Sequence, residues 1–237
     1  VPPELRLAYA RHLISLPQPV EALRQLTRLN TEHPGFADGW LVHGLLLQDA
    51  SKIAEAEQHL QRYINLVKAS QDKDQQNGLS EAFMALAQMA QRQGQLAQAE
   101  QGLAQVPADA DPIKLASSMA DLLTQQGRME EARLVLSQIK TATPAQAARK
   151  TLLQSLWLRE NKRMDEAYAL VRQTLKSQPE NNDLISELAM VSEKLKRFDE
   201  MESLLRDLMQ RKPQDPQAFN ALGYHLVGIA LAGARLL

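Results

Sequence analysis

The sequence predicts an all-α fold, a solenoid built from antiparallel helix pairs. Three observations predict it: an aliphatic composition, small residues that recur at a constant spacing, and prolines at matching points of that spacing. Residues of the set AVILMFWYC make up 44% of the 237 residues, whereas aromatic residues make up only 4% and cysteine is absent. A core made mostly of Ala and Leu suits helix packing better than a β-sheet.

Small or aliphatic residues recur at a nearly constant interval along the whole chain. They are Ala22, Ala56, Ala99, Ala132, Ala167 and Met201, and the intervals between them are 34, 43, 33, 35 and 34 residues. Four prolines, Pro34, Pro144, Pro179 and Pro213, each stand twelve residues after one of them. Because proline lacks the backbone N–H and disfavours a helical residue before it, we expect each of these prolines to end the second helix of a pair.

The first helix of each pair carries a second small residue. The residues at this position are Gly44, Ala87, Ala120, Ser155 and Ala189. A small side chain there lets the two antiparallel helices approach each other. Gly94 and Gly127 are expected in the turns between helices, where glycine tolerates a positive φ, and Lys162 and Lys196 occupy the corresponding positions of later pairs.

Two segments carry a recognisable signature. Trp40-x-x-His43-Gly44-x-x-Leu47 and Phe219-x-x-Leu222-Gly223 resemble the W-x2-L-G-x2-Y pattern of tetratricopeptide repeats, whose period is about 34 residues. The resemblance extends from about Glu4 to the end of the chain, and it implies that the solenoid is right-handed. The predicted organisation is a single array over residues 1–237: repeat 1 at 3–36, repeat 2 at 37–68, an insertion at 69–79, repeat 3 at 80–111, repeat 4 at 112–146, repeat 5 at 147–181, repeat 6 at 182–215, and a half repeat with a tail at 216–237.

The sequence predicts no enzyme and no cofactor. It contains none of the Ser, Cys, Gly-rich-loop or His-Glu motifs that mark common catalytic sites. His43 and His59 share one repeat, but two histidines without a carboxylate or thiolate partner make a poor metal site, so we expect His43 to be a packing residue. The net charge of −1 lacks the positive field of a nucleic-acid-binding protein.

The resemblance to tetratricopeptide repeats implies a partner-binding groove. In that family the first helices line a concave face, and the fifth and ninth positions of each repeat point into it. With the neighbouring polar residues, this predicts a protein-binding or peptide-binding face made of Leu7, Arg11, Leu41, Leu45, Met84, Gln88, Asp121, Leu152, Leu156, Arg159, Met190 and Tyr224. A face that is aliphatic with Met contacts suits a helix or an extended apolar segment of another protein.

The end of the sequence predicts self-association. A half repeat without a second helix leaves apolar surface uncovered. We therefore expect a homodimer contact through Phe219, Leu222, Leu226, Ile229 and Leu231. The apolar stretch at 226–234 is nine residues long, about half of what a bilayer span requires, so no membrane span is predicted. The chain starts at Val1 without an initiator Met, and we expect it to come from a longer protein.

A narrower resemblance concerns the segment at 214–224, Gln-Asp-Pro-Gln-Ala-Phe-Asn-Ala-Leu-Gly-Tyr, which is similar to a stretch in proteobacterial envelope lipoproteins. That resemblance implies a bacterial periplasmic adaptor, held at the outer membrane by a lipid on a missing N-terminus, that delivers cell-wall hydrolases to a carboxy-terminal processing protease. Two alternatives stay open. The chain is one arm of a larger enzyme, or it is a cytoplasmic assembly scaffold in lipopolysaccharide regulation or cytochrome maturation.

Overall fold

The computed structural model describes residues 1–70, 74–108, 110–213 and 223. In these residues every regular element is helical, which confirms the predicted all-α fold class. The helices are Pro3–Ser15 (α1), Pro19–Glu32 (α2), Ala37–Asp49 (α3), Ile53–Ala69 (α4), Leu79–Arg92 (α5), Leu96–Ala104 (α6), Pro112–Gln125 (α7), Met129–Ser137 (α8), Pro144–Glu160 (α9), Met164–Ser177 (α10), Asn182–Lys194 (α11) and Phe198–Arg211 (α12).

The chain divides into two compact units, Val1–Ala132 and Arg133–Leu237. In the first unit α1 packs on α2, α3 on α4 and α5 on α6, and in the second unit α9 packs on α10 and α11 on α12. Successive pairs are joined through contacts of α2 with α3, α4 with α5 and α10 with α11. Each unit is therefore a stack of helix pairs.

The two helices of each pair carry a recurring residue at matching positions. The recurring residues of the second helices are all at most 3% exposed, from Ala22 at 0% to Met201 at 3%. The small residue of the first helix stands twelve positions earlier in every pair. At Gly44 an added Cβ would lie 2.8 Å from Leu60 Cγ and 3.2 Å from its backbone nitrogen, so the two helices are in contact there. This close approach is the packing reason for the recurring spacing.

The turns inside the five pairs from α3–α4 to α11–α12 share one backbone conformation. Gly94 and Gly127 have φ values of +76° and +77°, as predicted, and Ser51, Lys162 and Lys196 have values of +60°, +62° and +58°. The left-handed region is costly for a residue with a Cβ. The turn geometry is thus kept even where glycine is absent.

Proline marks helix starts as well as helix ends. Pro34, Pro179 and Pro213 follow α2, α10 and α12 by two residues, as predicted. Pro144 was expected to end the second helix of repeat 4, but that helix, α8, ends at Ser137 and Pro144 is the first residue of α9. Thr143 accepts a hydrogen bond from the Gln146 backbone N–H at 3.2 Å, and the Gln146 side chain accepts one from the Thr143 N–H. This capping box with proline at the first helical position is a helix-start signal, and the predicted repeat boundary at 146/147 lies inside α9.

The insertion between repeats 2 and 3 combines an extended helix with a packed turn. Helix α4 continues to Ala69, and a short 3₁₀ helix, Asp74–Gly78, leads into α5. Gly78 is held tightly: an added Cβ would lie 2.6 Å from the Tyr63 hydroxyl and would also meet Leu41. Tyr63 is fully buried and its hydroxyl is hydrogen-bonded to the Gly78 backbone, while burial raises the pKa of Tyr63 to about 12. The end of the insertion is therefore part of the first unit's core.

Candidate protein-binding face

Helices α9 and α11 of the second unit carry the candidate site, and each begins at a defined cap. The capping box of Thr143 starts α9, and the Asn181 side chain starts α11 by accepting hydrogen bonds from the backbone N–H groups of Asp183 and Leu184, both at 3.1 Å. Such caps satisfy backbone donors that a helix start leaves unpaired. The two helices are also in direct contact. The start of each helix is therefore set by the local sequence.

A buried polar group joins the two helices. Ser155 on α9 is fully buried and donates a hydrogen bond of 2.6 Å to Glu187 Oε1 on α11. Arg159 Nε lies 2.9 Å from the same oxygen, and the side chains of Arg159 and Glu187 are 21% and 9% exposed. The Nε–H is not aligned with the oxygen, so the contact is an ion pair rather than a hydrogen bond. A carboxylate removed from water needs such compensation, and removing either partner is costly.

Two exposed apolar side chains lie beside this polar group. Leu156 on α9 is 42% exposed and Met190 on α11 is 41% exposed. Arg159 Nη1 lies 3.1 Å from Met190 Sδ, which connects the ion pair to the exposed methionine. Leu152, one turn before Leu156, is half-buried. We call these residues, Leu152, Leu156, Arg159, Glu187 and Met190, the α9–α11 face.

The first unit places the corresponding side chains differently. Leu7, Leu41 and Met84 were predicted to line the groove, but they are 5%, 6% and 9% exposed. Leu7 packs with Leu26 between α1, α2 and α3, and Leu41 packs with Tyr63 between α3 and α4. These three residues are core residues of the first unit because each packs against a neighbouring helix.

The remaining predicted residues of the first unit are polar or partly covered. Arg11, Gln88 and Asp121 are exposed, and Leu45 is half-buried. Gln88 Oε1 accepts a hydrogen bond of 2.8 Å from Gln48 Nε2, which connects α3 to α5. The structure thus brings the predicted residues Arg159 of α9 and Met190 of α11 into contact, whereas the predicted residues that the first unit exposes are polar.

The predicted residue Tyr224 and the predicted self-association residues, Phe219, Leu222, Leu226, Ile229 and Leu231, lie outside the described residues. Sequence reasoning missed Ser155 and Glu187 as site residues. Ser155 stood at the small-residue position, and its hydroxyl in place of a methyl group was the available signal for a polar partner. It also missed exposed apolar side chains of the first helix pair, among them Leu5, Tyr9 and Val20.

His43 is a packing residue, as predicted. It is 6% exposed, its Nδ1 lies 3.1 Å from Asn30 Nδ2, and its ring packs edge-on against His59 with centroids 4.3 Å apart. Burial, with smaller contributions from the charges of His59 and Lys52, lowers the pKa of His43 to about 4. The ring is therefore neutral at pH 7. Among the described residues no three His, Cys, Asp or Glu side chains are placed to hold a metal ion.

No helix in the described part of the chain has both the length and the hydropathy needed to cross a bilayer.

Comparison with known proteins gives a family match for part of the chain. Residues 158–223 match the sequence model of the tetratricopeptide repeat family. A TPR repeat-containing protein of Pseudomonas aeruginosa, PA4667, is 30% identical over 145 residues, which are 61% of this chain and 25% of that protein. The chain thus spans about a quarter of the length of this curated relative.

Two solved structures share the fold. The type IV pilus biogenesis factor PilW superposes with a TM-score of 0.61 over 93% of this chain and 98% of its own, at 12% identity. PilF of Pseudomonas aeruginosa superposes with a TM-score of 0.59 over 92% of this chain and 96% of its own, also at 12% identity. The chain therefore has the all-α fold of tetratricopeptide-repeat proteins, and its residues 158–223 carry the sequence pattern of that repeat family.

Proposed function

We propose that this chain is a non-enzymatic scaffold that binds a polypeptide partner on the α9–α11 face. Tetratricopeptide-repeat proteins are generally protein-interaction scaffolds. The observation that carries the proposal is the pair of exposed side chains, Leu156 and Met190, held next to a buried ion pair. Single exposed apolar residues are ordinary, but two on neighbouring first helices, joined through Arg159, form a continuous contact surface.

The chemistry of the α9–α11 face favours an apolar segment of the partner. Leu156 offers a branched aliphatic contact, and Met190 offers a flexible thioether that adapts to different shapes. The Arg159 side chain is only 21% exposed and its charge is already paired with Glu187, so the face offers a partner little net positive charge. An amphipathic helix or an extended segment with two apolar residues about one helical turn apart fits this arrangement.

The test uses two double variants of the whole chain. Leu156→Asp with Met190→Asp is expected to abolish partner capture from a lysate of the source organism, because it places two carboxylates on the contact surface while leaving the core intact. Leu152→Asp with Leu156→Asp is expected to do the same. The readout is affinity capture quantified by mass spectrometry, with circular dichroism as the check on folding.

The matched control alters apolar residues elsewhere in the second unit. Leu134 and Phe198 are 54% and 43% exposed and lie on the second helices α8 and α12. The double variant Leu134→Asp with Phe198→Asp is expected to capture the partner at the wild-type level. Unchanged capture by Leu156→Asp with Met190→Asp would reject the α9–α11 face as the binding surface.

We further propose that the chain acts in the bacterial periplasm as an adaptor that delivers cell-wall hydrolases to a carboxy-terminal processing protease. The proposal is supported by the similarity of the segment at 214–224 to envelope lipoproteins and by the TPR repeat-containing relative in Pseudomonas aeruginosa. Purified chain is expected to retain such a protease in a pull-down and to accelerate cleavage of a hydrolase substrate. No retention and no acceleration would reject this role, and cell fractionation tests the compartment.

A second candidate is that the chain is the repeat arm of a longer protein whose activity lies elsewhere. The observation in its favour is that the aligned region covers only 25% of the Pseudomonas relative. The full reading frame distinguishes the two candidates. An upstream lipid-attachment cysteine favours the envelope adaptor, and a catalytic domain in the same chain favours the repeat arm.

A further inference from the structure

Three clefts of the described surface lie at equivalent places in the fold. Each lies between the second helices of two successive repeats, with the first helix between them as its floor. The clefts between α2 and α4, between α4 and α6, and between α8 and α10 have volumes of 480, 640 and 210 Å³. The largest of the three, which we call the α4–α6 cleft, lies between the two repeats that the insertion separates in sequence.

The walls of the α4–α6 cleft carry two matching rows of side-chain amides. Both rows have the spacing i, i+3, i+7, which places three side chains along one face of a helix. The rows are Gln58, Gln61 and Asn65 on α4, and Gln98, Gln101 and Gln105 on α6 and its C-terminal cap. All six residues are exposed. The cleft therefore has uncharged hydrogen-bonding groups on both sides.

The floor of this cleft is apolar and closely packed. Leu86 and Ala87 of α5 form part of it, and Gly102 of α6 approaches Ala87 so closely that an added Cβ would lie 3.3 Å from the alanine Cβ. Glycine inside a helix costs about 1 kcal/mol relative to alanine, so its position usually has a packing or functional reason. Here its missing side chain keeps the cleft deep.

The other two clefts have different walls. Arg133 and Glu166 form an ion pair of 3.7 Å in the cleft between α8 and α10. The cleft between α2 and α4 is lined by Trp40, His43 and His59 together with hydroxyl groups. Of the three clefts, the α4–α6 cleft is the one with a complete row of amides on each wall.

We propose that the α4–α6 cleft binds an extended, uncharged polypeptide segment through its backbone. A side-chain amide both donates and accepts hydrogen bonds, as a peptide group does. Seven residues of helix rise about 10 Å, which is the length of about three residues of extended chain at about 3.3 Å each. Each row therefore offers amide groups over the length of such a segment. Within the rows Gln61 Nε2 donates to Asn65 Oδ1 at 3.0 Å and Gln105 Nε2 donates to the Gln101 backbone carbonyl at 3.4 Å, and the remaining amide N–H hydrogens and oxygens are the groups that would pair with the backbone of the segment.

The observations favour a peptide over a saccharide. Sugar binding commonly uses an open aromatic ring as a platform, and the aromatic residue of this cleft, Phe83, is 6% exposed with Lys68 Nζ 5.3 Å from its ring centroid. The charges also favour an uncharged ligand. Glu57 accepts a hydrogen bond of 3.2 Å from Gln93, and Lys68 lies over Phe83, so two of the three charged side chains already have a contact within the chain.

A pool of peptides of different sequence is a suitable probe, because a cleft that binds the peptide backbone discriminates little between ligand side chains. The probe is a pool of random uncharged nonapeptides made from Ser, Thr, Gln, Ala and Val, added to the full chain labelled with ¹⁵N. The side-chain NH₂ signals of Gln58, Gln61, Gln98 and Gln101 are expected to shift. The same pool with N-methylated backbones is expected to give less than a tenth of that shift, and chitotetraose is expected to give none.

A variant pair tests the two rows directly. Gln61→Glu with Gln101→Glu replaces two donors by acceptors on opposite walls and is expected to weaken pool binding at least tenfold. Gln138→Glu with Gln173→Glu makes the same change on exposed positions of the second unit and is expected to leave binding within twofold. Because these probes concern α4 to α6, the outcome is independent of partner capture by the α9–α11 face.

Four results would overturn the assignment. Three of them concern the probes: no shift with the peptide pool, equal shifts with the N-methylated pool, and shifts with chitotetraose alone. Mapping the shifts on the wild-type chain keeps the test valid if the glutamate variant fails to fold. Shifts of amide signals on only one wall would also contradict the proposal, since the proposed ligand lies between both rows.

Discussion

The α3–α5 surface of the first unit and the α9–α11 face of the second unit use the same backbone positions for different chemistry. In the first, Gln48 of one repeat donates to Gln88 of the next at 2.8 Å. In the second, Arg159 at the matching position reaches Met190 at 3.1 Å and also pairs with the buried Glu187. The repeat fixes which positions meet, and the residues at those positions decide whether the surface is a neutral polar seam or an apolar contact surface with a charged support.

Removing the charged support should produce the largest difference between the two surfaces. Arg159→Met leaves Glu187 without its cation and is expected to lower the free energy of unfolding by about 3 to 4 kcal/mol. Gln48→Met removes one neutral hydrogen bond whose partner is exposed, and about 1 kcal/mol is expected. Urea unfolding followed by circular dichroism measures both.

The control for this pair is a second change at the partner residue. Glu187→Gln in the Arg159→Met background removes the buried charge and keeps the acceptor for Ser155, so it is expected to recover more than half of the loss. Equal losses for Arg159→Met and Gln48→Met would show that the ion pair does not support the second unit's face.

Lowering the pH should destabilise the first unit through protonation of His43. Its pKa in the folded chain is lowered from 6.5 to about 4, so the unfolded chain takes up the proton first as the pH falls. The stabilisation is fully present above about pH 6.5 and is lost progressively down to about pH 4, by up to about 3 kcal/mol. Hydrogen exchange is expected to show α3 and α4 losing protection in this range, and His43→Leu should remove the dependence. Equal pH dependence in the variant would contradict the assignment to His43.

The turns give the smallest expected effect. Lys162 and Lys196 hold positive φ values in the second unit, where the first unit has Gly94 and Gly127 at two equivalent turns. Lys162→Gly is expected to raise the free energy of unfolding by about 0.5 to 1 kcal/mol, because glycine adopts this conformation without a steric penalty. The reverse change Gly94→Lys should lower it by a similar amount, since an added side chain there meets open space and only the backbone is strained. Thermal unfolding measures both, and a destabilised Lys162→Gly variant would refute the explanation.

The repeat spacing was predictable because packing requires it. Small residues fill the positions of Ala56 and Gly44 in every pair except the last, where Met201 takes the place of the alanine, so a single sequence shows the period. The role of Pro144 was not predictable from spacing alone, because proline is compatible with both the residue after a helix and the first residue of one, and the Thr143 capping box decides between them.

The binding face was only partly predictable for a related reason. The period assigns Leu41 and Leu156 to the same side of a first helix, but exposure depends on which neighbouring helix covers each residue. Tyr63 and the end of the insertion pack over Leu41, whereas Leu156 remains 42% exposed. The contact of Ser155 with Glu187 joins residues 32 positions apart, and no local pattern marks such a pair.

The most direct test of the central claim is quantitative partner capture by three forms of the full chain. These are the wild type, Leu156→Asp with Met190→Asp, and the control Leu134→Asp with Phe198→Asp. The proposed function predicts at least tenfold loss of capture in the first variant and wild-type capture in the control, with equal helical content in all three. Wild-type capture by the Leu156 and Met190 variant would contradict the claim that the α9–α11 face binds the partner.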